Sequence, residues 1–97
     1  MATAVENSRL ITLKAAWLYD HKLPCGAESN AAKYLAAEAG WQAADRAMQT
    51  LGGFGYSREY HVERYWRESK LNRIAPVTPE LILCYIAERV LGLPRSY

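Results

Sequence analysis

A chain of 97 residues, 51% apolar and 11% aromatic, has material for one small domain with a modest core and leaves no room for a second, so residues 1–97 are expected to form a single unit. A formal charge of only +2, with no basic block, argues against nucleic acid as a partner. The longest unbroken apolar run, Leu81 to Ala87, is far short of the roughly 20 residues a membrane-spanning helix needs.

At the start, Met1-Ala-Thr-Ala-Val-Glu meets charge at once and does not read as a targeting peptide. Thr3 with Glu6 has the spacing of a capping box, and Leu10, Leu13 and Trp17 recur along one helical face. This predicts a first helix from about Val5 to Lys22, stopped by Pro24 and Gly26. Ile11, Ala15 and Leu18 on its other flank make it apolar around more than half its circumference. Packing against more than one neighbour is therefore expected.

Ser29 is a plausible cap for a second helix from about Asn30 to Leu51. Its stripe runs Ala32, Ala36, Ala39, Ala43, Ala47 and Leu51, with Leu35 and Met48 alongside, at spacings of three and four. Alanine lacks bulk, so this stripe reads as a close-packing face, and Gly40 reads as a tight helix contact. The helix should be about 33 Å long, enough to form the spine of an antiparallel bundle.

The pivot of the chain is Gln49-Thr50-Leu51-Gly52-Gly53-Phe54-Gly55-Tyr56. Glycine just past a helix end permits the left-handed backbone that satisfies the last carbonyls, and a second glycine keeps the surface bare for a flat ligand. Ser57 then caps a helix reaching to about Leu71. Glu63 and Arg67 stand four apart in the favourable order, which predicts an ion-pair network bracing the turn, and Tyr60, Tyr65 and Trp66 add bulk. Five basic and three acidic residues between Arg58 and Arg73 are too even for a phosphate-binding patch.

Thr78 as cap, Pro79 at the first helical position and Glu80 in the first turn form a strong start signal, and Gly92 with Pro94 form the matching stop. The last helix therefore runs from Pro79 to about Leu91. Leu81, Ile82, Leu83, Tyr85, Ile86, Val90 and Leu91 cover most of it with apolar groups, more than a short chain can bury, which implies a partner surface. Cys25 and Cys84 lie far apart without a histidine cluster, and His21 and His61 form no ligand pattern. No metal site or redox pair is indicated, and a reducing compartment is the default, cytoplasmic or the mitochondrial matrix if the source is eukaryotic.

The glycine turn and the aromatic, charged segment after it resemble the C-terminal helical domain of the acyl-CoA dehydrogenases. In that family Gln-x-x-Gly-Gly-x-Gly precedes Glu-Tyr-x-Val-Glu-Arg/Lys-x-x-Arg-Asp/Glu. The matching residues here are Gln49, Gly52, Gly53 and Gly55, then Glu59, Tyr60, Val62, Glu63, Arg64, Arg67 and Glu68. The likeness extends from about Arg9 to Gly92, and family members are several times longer.

The resemblance implies an all-α fold, an antiparallel bundle of the up-and-down four-helix type, incomplete in one chain, with three long helices and one short one. It implies FAD as cofactor, not retained by this chain alone, and an acyl-CoA substrate dehydrogenated at the carbons next to the thioester. Gln49, Thr50, Leu51, Gly52, Gly53, Thr78 and Glu80 stand where the family contacts FAD, the turn touching the adenine dinucleotide part held mainly by a neighbouring subunit. Its partners are then the parent's N-terminal and β domains and further copies, as dimer or tetramer. Many members carry the proton-abstracting glutamate in a Glu-Gly-Thr loop; alignment on Thr78 puts Pro76 there, and proline cannot accept a proton. The chain is thus expected to hold no catalytic base and to be inactive alone; in one branch the glutamate lies on an earlier helix, upstream of Met1. The alternative is a non-catalytic helical oligomerisation module derived from the same family.

Overall fold

Long helix-forming stretches punctuated by glycine and proline give, in a computed structural model that describes residues 1–96, an all-helical chain. The elements are α1 (Ala2–Asp20), α2 (Gly26–Leu51), the single-turn α3 (Gly53–Tyr56), a 3-10 turn (Arg58–Tyr60), α4 (Val62–Ile74) and α5 (Pro79–Arg89). Helix α2, 26 residues long, is the hub: α1, α3, α4 and α5 all pack on it.

Several helix ends differ from what the side chains suggest. Helix α1 begins at Ala2 with Met1 as cap, so Thr3 and Glu6 form no capping box; Glu6 instead reaches Arg9 at 3.6 Å. Its far end closes through the backbone: Lys22 takes φ +59°, its N–H donates to the Tyr19 carbonyl, and the Leu23 N–H donates to the Leu18 carbonyl. This is a Schellman closure with lysine where glycine is usual, so α1 stops before Pro24 and Gly26 act. Helix α2 starts at Gly26 with Cys25 as cap, and Ser29 lies inside it. The stretch from Ser57 to Leu71 is broken. Ser57 accepts from the Glu59 N–H at 3.3 Å to cap only the 3-10 turn, and His61 at φ +60° resets the chain before α4.

The α1–α2 interface uses Ser8, Ala15, Ile11 and Leu18, with Lys14 and Glu28 paired across it at 3.0 Å. Two small hydroxyls in this helix turn back on its own backbone, Ser8 to the Ala4 carbonyl and Thr12 to the Ser8 carbonyl, which lets Ser8 be buried without cost in unmet hydrogen bonds. Leu10, Leu13 and Trp17 remain more than half exposed, so among the described residues α1 packs chiefly on α2 rather than on the several neighbours its apolar girth calls for.

On α2 the buried alanines are 32, 37, 39 and 44, whereas Ala36, Ala43, Ala47 and Leu51 face outward. The expected stripe is therefore rotated: of its six members only Ala32 and Ala39 are buried, and the other four are open. Gly40 has nothing within 4 Å of where a Cβ would sit, which removes the tight contact expected of it. Helix α5 is anchored by Ile82, 1% exposed, while Leu81 and Leu83 stay open.

The resulting body measures 46 × 33 × 21 Å with a radius of gyration of 15.9 Å, against about 12.5 Å for a closed globule of this length. Its accessible surface, 7167 Å² for 11.0 kDa, exceeds the roughly 5,600 Å² typical of a folded monomer of that mass.

Candidate functional site

The diglycine corner is built by the end of α2. The N–H of Gly52 donates to the carbonyls of Met48 and Gln49, and Gly52 itself takes φ +58°, ψ −131°, a conformation that a side chain strongly disfavours. No heavy atom lies within 4 Å of a Cβ placed on Gly52 or Gly53. The corner is open to solvent. Gly55 is bare for a different reason: its Cβ would sit 2.7 Å from the Met48 carbonyl oxygen and 3.0 Å from the Met48 Cα, so α3 folds back directly on the last turns of α2. Phe54 and Tyr60 meet at a tilt beyond it, 5.3 Å between ring centres.

Around the corner Gln49, Thr50 and Leu51 are exposed, and the Thr50 hydroxyl is spent on the Arg46 carbonyl at 2.7 Å. Thr78 and Glu80 are elsewhere. They stand at the opposite end of α4, whose 13 residues span about 18 Å between first and last Cα. There Thr78 caps α5, its hydroxyl accepting from the Leu81 N–H at 3.5 Å, and Pro79 opens the helix. Lys70, Arg73, Ile74, Thr78, Pro79 and Glu80 line a hollow of about 170 Å³ at this end. The seven residues singled out in the sequence thus form two separate groups within one chain.

Among the described residues no ion-pair network braces the turn. Glu63 and Arg67 make no ion pair among the described residues; with Met48, Tyr56, Arg58 and Trp66 they line an open cleft of about 490 Å³ beside α3. What holds α4 in place is a ladder along α2. The Trp66 Nε1–H donates to Asp45 Oδ1 at 2.9 Å, Trp66 packs against Trp41 at 5.0 Å, Lys70 and Arg73 lie 4.8 and 5.8 Å from the Trp41 ring centre, and Arg73 Nε donates to Glu38 Oε1 at 2.7 Å. Sequence reasoning missed these partners. The available signal was the matching periodicity of polar and aromatic residues at 38, 41 and 45 on one helix and 66, 70 and 73 on the next.

A helical chain with this turn, followed by Glu59-Tyr60 and Val62-Glu63-Arg64 at the head of α4, matches over residues 1–91 the family profile described as acyl-CoA dehydrogenase, C-terminal domain. The chain belongs to that family. This acyl-CoA dehydrogenase C-terminal domain is 48% identical over 95 residues to the acyl-CoA dehydrogenase FadE12 of Mycobacterium tuberculosis (strain ATCC 25618 / H37Rv), covering 96% of the chain and 24% of the relative. It is 42% identical over 96 residues to the mitochondrial short-chain specific acyl-CoA dehydrogenase of Rattus norvegicus, covering 99% of the chain and 23% of the relative. With the probable acyl-CoA dehydrogenase YngJ of Bacillus subtilis (strain 168) it shares 42% over 91 residues, 94% of the chain and 24% of that protein. The chain spans about a quarter of the length of these relatives.

In this acyl-CoA dehydrogenase C-terminal domain Pro76 lies in the segment between α4 and α5, exposed, on a hollow of about 260 Å³ shared with Lys33, Ala36, Ala37, Asn72 and Ala75. None of these residues carries a carboxylate. Among the described residues no cluster of side chains suited to a metal ion occurs, and no helix is long and apolar enough to cross a membrane. Both cysteines are free thiols.

Proposed function

We propose that this chain is the flavin-facing helical part of an FAD-dependent acyl-CoA dehydrogenase, contributing backbone to the cofactor site and surface to assembly, and inactive by itself. The observation that carries the reading is the bare corner at Gly52 and Gly53. It combines a backbone shape that excludes side chains with open space on its outer face, which suits the edge of a flat dinucleotide. The residues fit the group: Gln49, Thr50 and Leu51 are exposed beside the corner, and Thr78 and Glu80 sit at the amide-rich, positive end of α5, where anionic oxygens are favoured. The distance between the two groups supports contacts to two different FAD molecules, one held mainly by a neighbouring copy. When bound, the flavin supplies the hydride acceptor for oxidation of an acyl-CoA thioester. This chain's residues bind and orient, and the base comes from outside residues 1–97.

The test is a chimaera in which this chain replaces the corresponding quarter of the FadE12 relative, purified with and without Gly53→Phe. The unsubstituted chimaera is expected to retain visible flavin absorbance and the variant to lose it. Equal flavin retention in both would overturn the contact at the turn.

A second reading, a helical assembly module without catalysis, is favoured by a specific observation. The surface excess over a closed monomer is roughly 1,500 Å², about twice what one partner contributes to a standard interface, and Leu10, Leu13 and Trp17 form an uncovered apolar face. Under both readings the chain is built to be covered. Light scattering that shows a monomer at high concentration, with no binding of a hydrophobic dye, would remove the assembly role.

A further inference from the structure

We propose that Lys33 is the positioning residue for the strap between α4 and α5, fixing the N-terminus of α5 by binding two backbone carbonyls at once; its bearing on the cofactor rests on the flavin reading of Thr78 above. The Lys33 ammonium lies 2.6 Å from the Asn72 carbonyl oxygen and 2.7 Å from the Val77 carbonyl oxygen. Asn72 is in the last turns of α4, where carbonyls run short of helical partners and a cation suits the dipole. Val77 immediately precedes the cap residue Thr78. One side chain from α2 therefore ties the end of one helix to the beginning of the next.

Three observations assign the role to Lys33 rather than to the cap. At 3.5 Å the Thr78 hydroxyl is at the outer limit of a hydrogen bond, so it does not by itself set where α5 begins. The two carbonyl contacts are short and charge-assisted, the stronger class. Lys33 also lines the hollows on both sides of the strap, one with Ala75 and Pro76, the other with Ser29, Val77 and Ile82, so the strap crosses over its stem. An ammonium has three donors and can serve two acceptors without distortion; a methionine at this position keeps the stem and loses every donor.

The test uses the isotope-labelled 97-residue chain and nuclear magnetic resonance. The wild-type Lys33 ammonium is expected to show scalar coupling across its hydrogen bonds to the Asn72 and Val77 carbonyl carbons. In Lys33→Met, hydrogen exchange at the Leu81 and Ile82 amides is expected to accelerate about tenfold or more while Ala39 and Ala44 in α2 keep their protection. Lys33→Arg, which carries a donor fork, is expected to restore most of that protection. Absence of the couplings, unchanged exchange in Lys33→Met, acceleration spread evenly through α2, or no rescue by arginine would each overturn the proposal. No flavin enters the experiment, so failure here leaves the cofactor reading standing, and loss of the cofactor reading leaves this result intact.

Discussion

Arg73 donates its Nε–H to Glu38 Oε1 at 2.7 Å, joining the last turn of α4 to the middle of α2 with both side chains less than a third exposed. Because the pair is partly withdrawn from water and Arg73 also lies over Trp41, it is worth more than an ion pair on an open surface. Glu38→Ala is expected to destabilise the chain by about 1–2 kcal/mol, read as a lower urea midpoint with an unchanged slope. A cost that vanishes in moderate salt would place the pair among the screened surface contacts.

The three glycines of the turn should respond differently to alanine. Gly55→Ala drives a methyl against the Met48 backbone, which cannot move aside, and is expected to cost about 2 kcal/mol. Gly52→Ala strains a backbone at φ +58° and should cost about 1–2 kcal/mol. Gly53→Ala meets open space at ordinary φ and should be neutral within about 0.5 kcal/mol. Denaturant unfolding of the three variants checks the order, and a costly Gly53→Ala would contradict the open corner.

Thr78→Ala removes a long capping bond, so its effect on global stability belongs at the low end for caps, about 0.5–1 kcal/mol. Faster exchange of the Leu81 amide, with α1 unaffected, is the expected local signature.

Lys14, 3.0 Å from Glu28, and secondarily the glutamate's own backbone amide hold the Glu28 carboxyl below the usual carboxylate value. A carboxyl depressed on folding adds stability above its unfolded pKa, and that contribution fades as the pH falls through the folded value. The gap in thermal midpoint between the wild type and Glu28→Gln should therefore be present at neutral pH and close in acid. A gap that stays constant on acidification would contradict the pairing.

Replacing Leu10 and Leu13 together by glutamate should leave helix content unchanged, because both side chains are already more than half exposed. Self-association and binding of a hydrophobic dye should both fall. Unaltered association would place the interface elsewhere, with the outward alanines of α2 or with Leu81 and Leu83 as the remaining candidates.

The helical character and most element positions were legible, because alanine content, the Thr78-Pro79-Glu80 start and the glycines at 52, 53 and 92 act locally. The facing of the helices was not. Ala36 and Ala43 obey the same spacing as Ala32 and Ala39, and only the positions of α1, α4 and α5 decide which of them are covered. Likewise Thr3 and Ser29 are sound caps by composition, yet the helices begin earlier; Lys22 and His61 adopt left-handed backbones that no residue preference would assign them. The open corner was anticipated from Gly52 and Gly53. The Glu38 and Asp45 contacts to α4 left only a matching period of positions on the two helices, and the Lys33 contacts to the strap left no trace, because the register that joins them is set by packing.

Since α1 touches the rest of the molecule chiefly through α2, α1 and α4 are coupled mainly by way of that one rod. Energetic perturbations at Lys14 and at Arg73 should then sum without interaction. A neighbour docked on α1 would then leave the geometry of the strap and the corner unchanged, so under the function proposed above covering one face and shaping the other are separable.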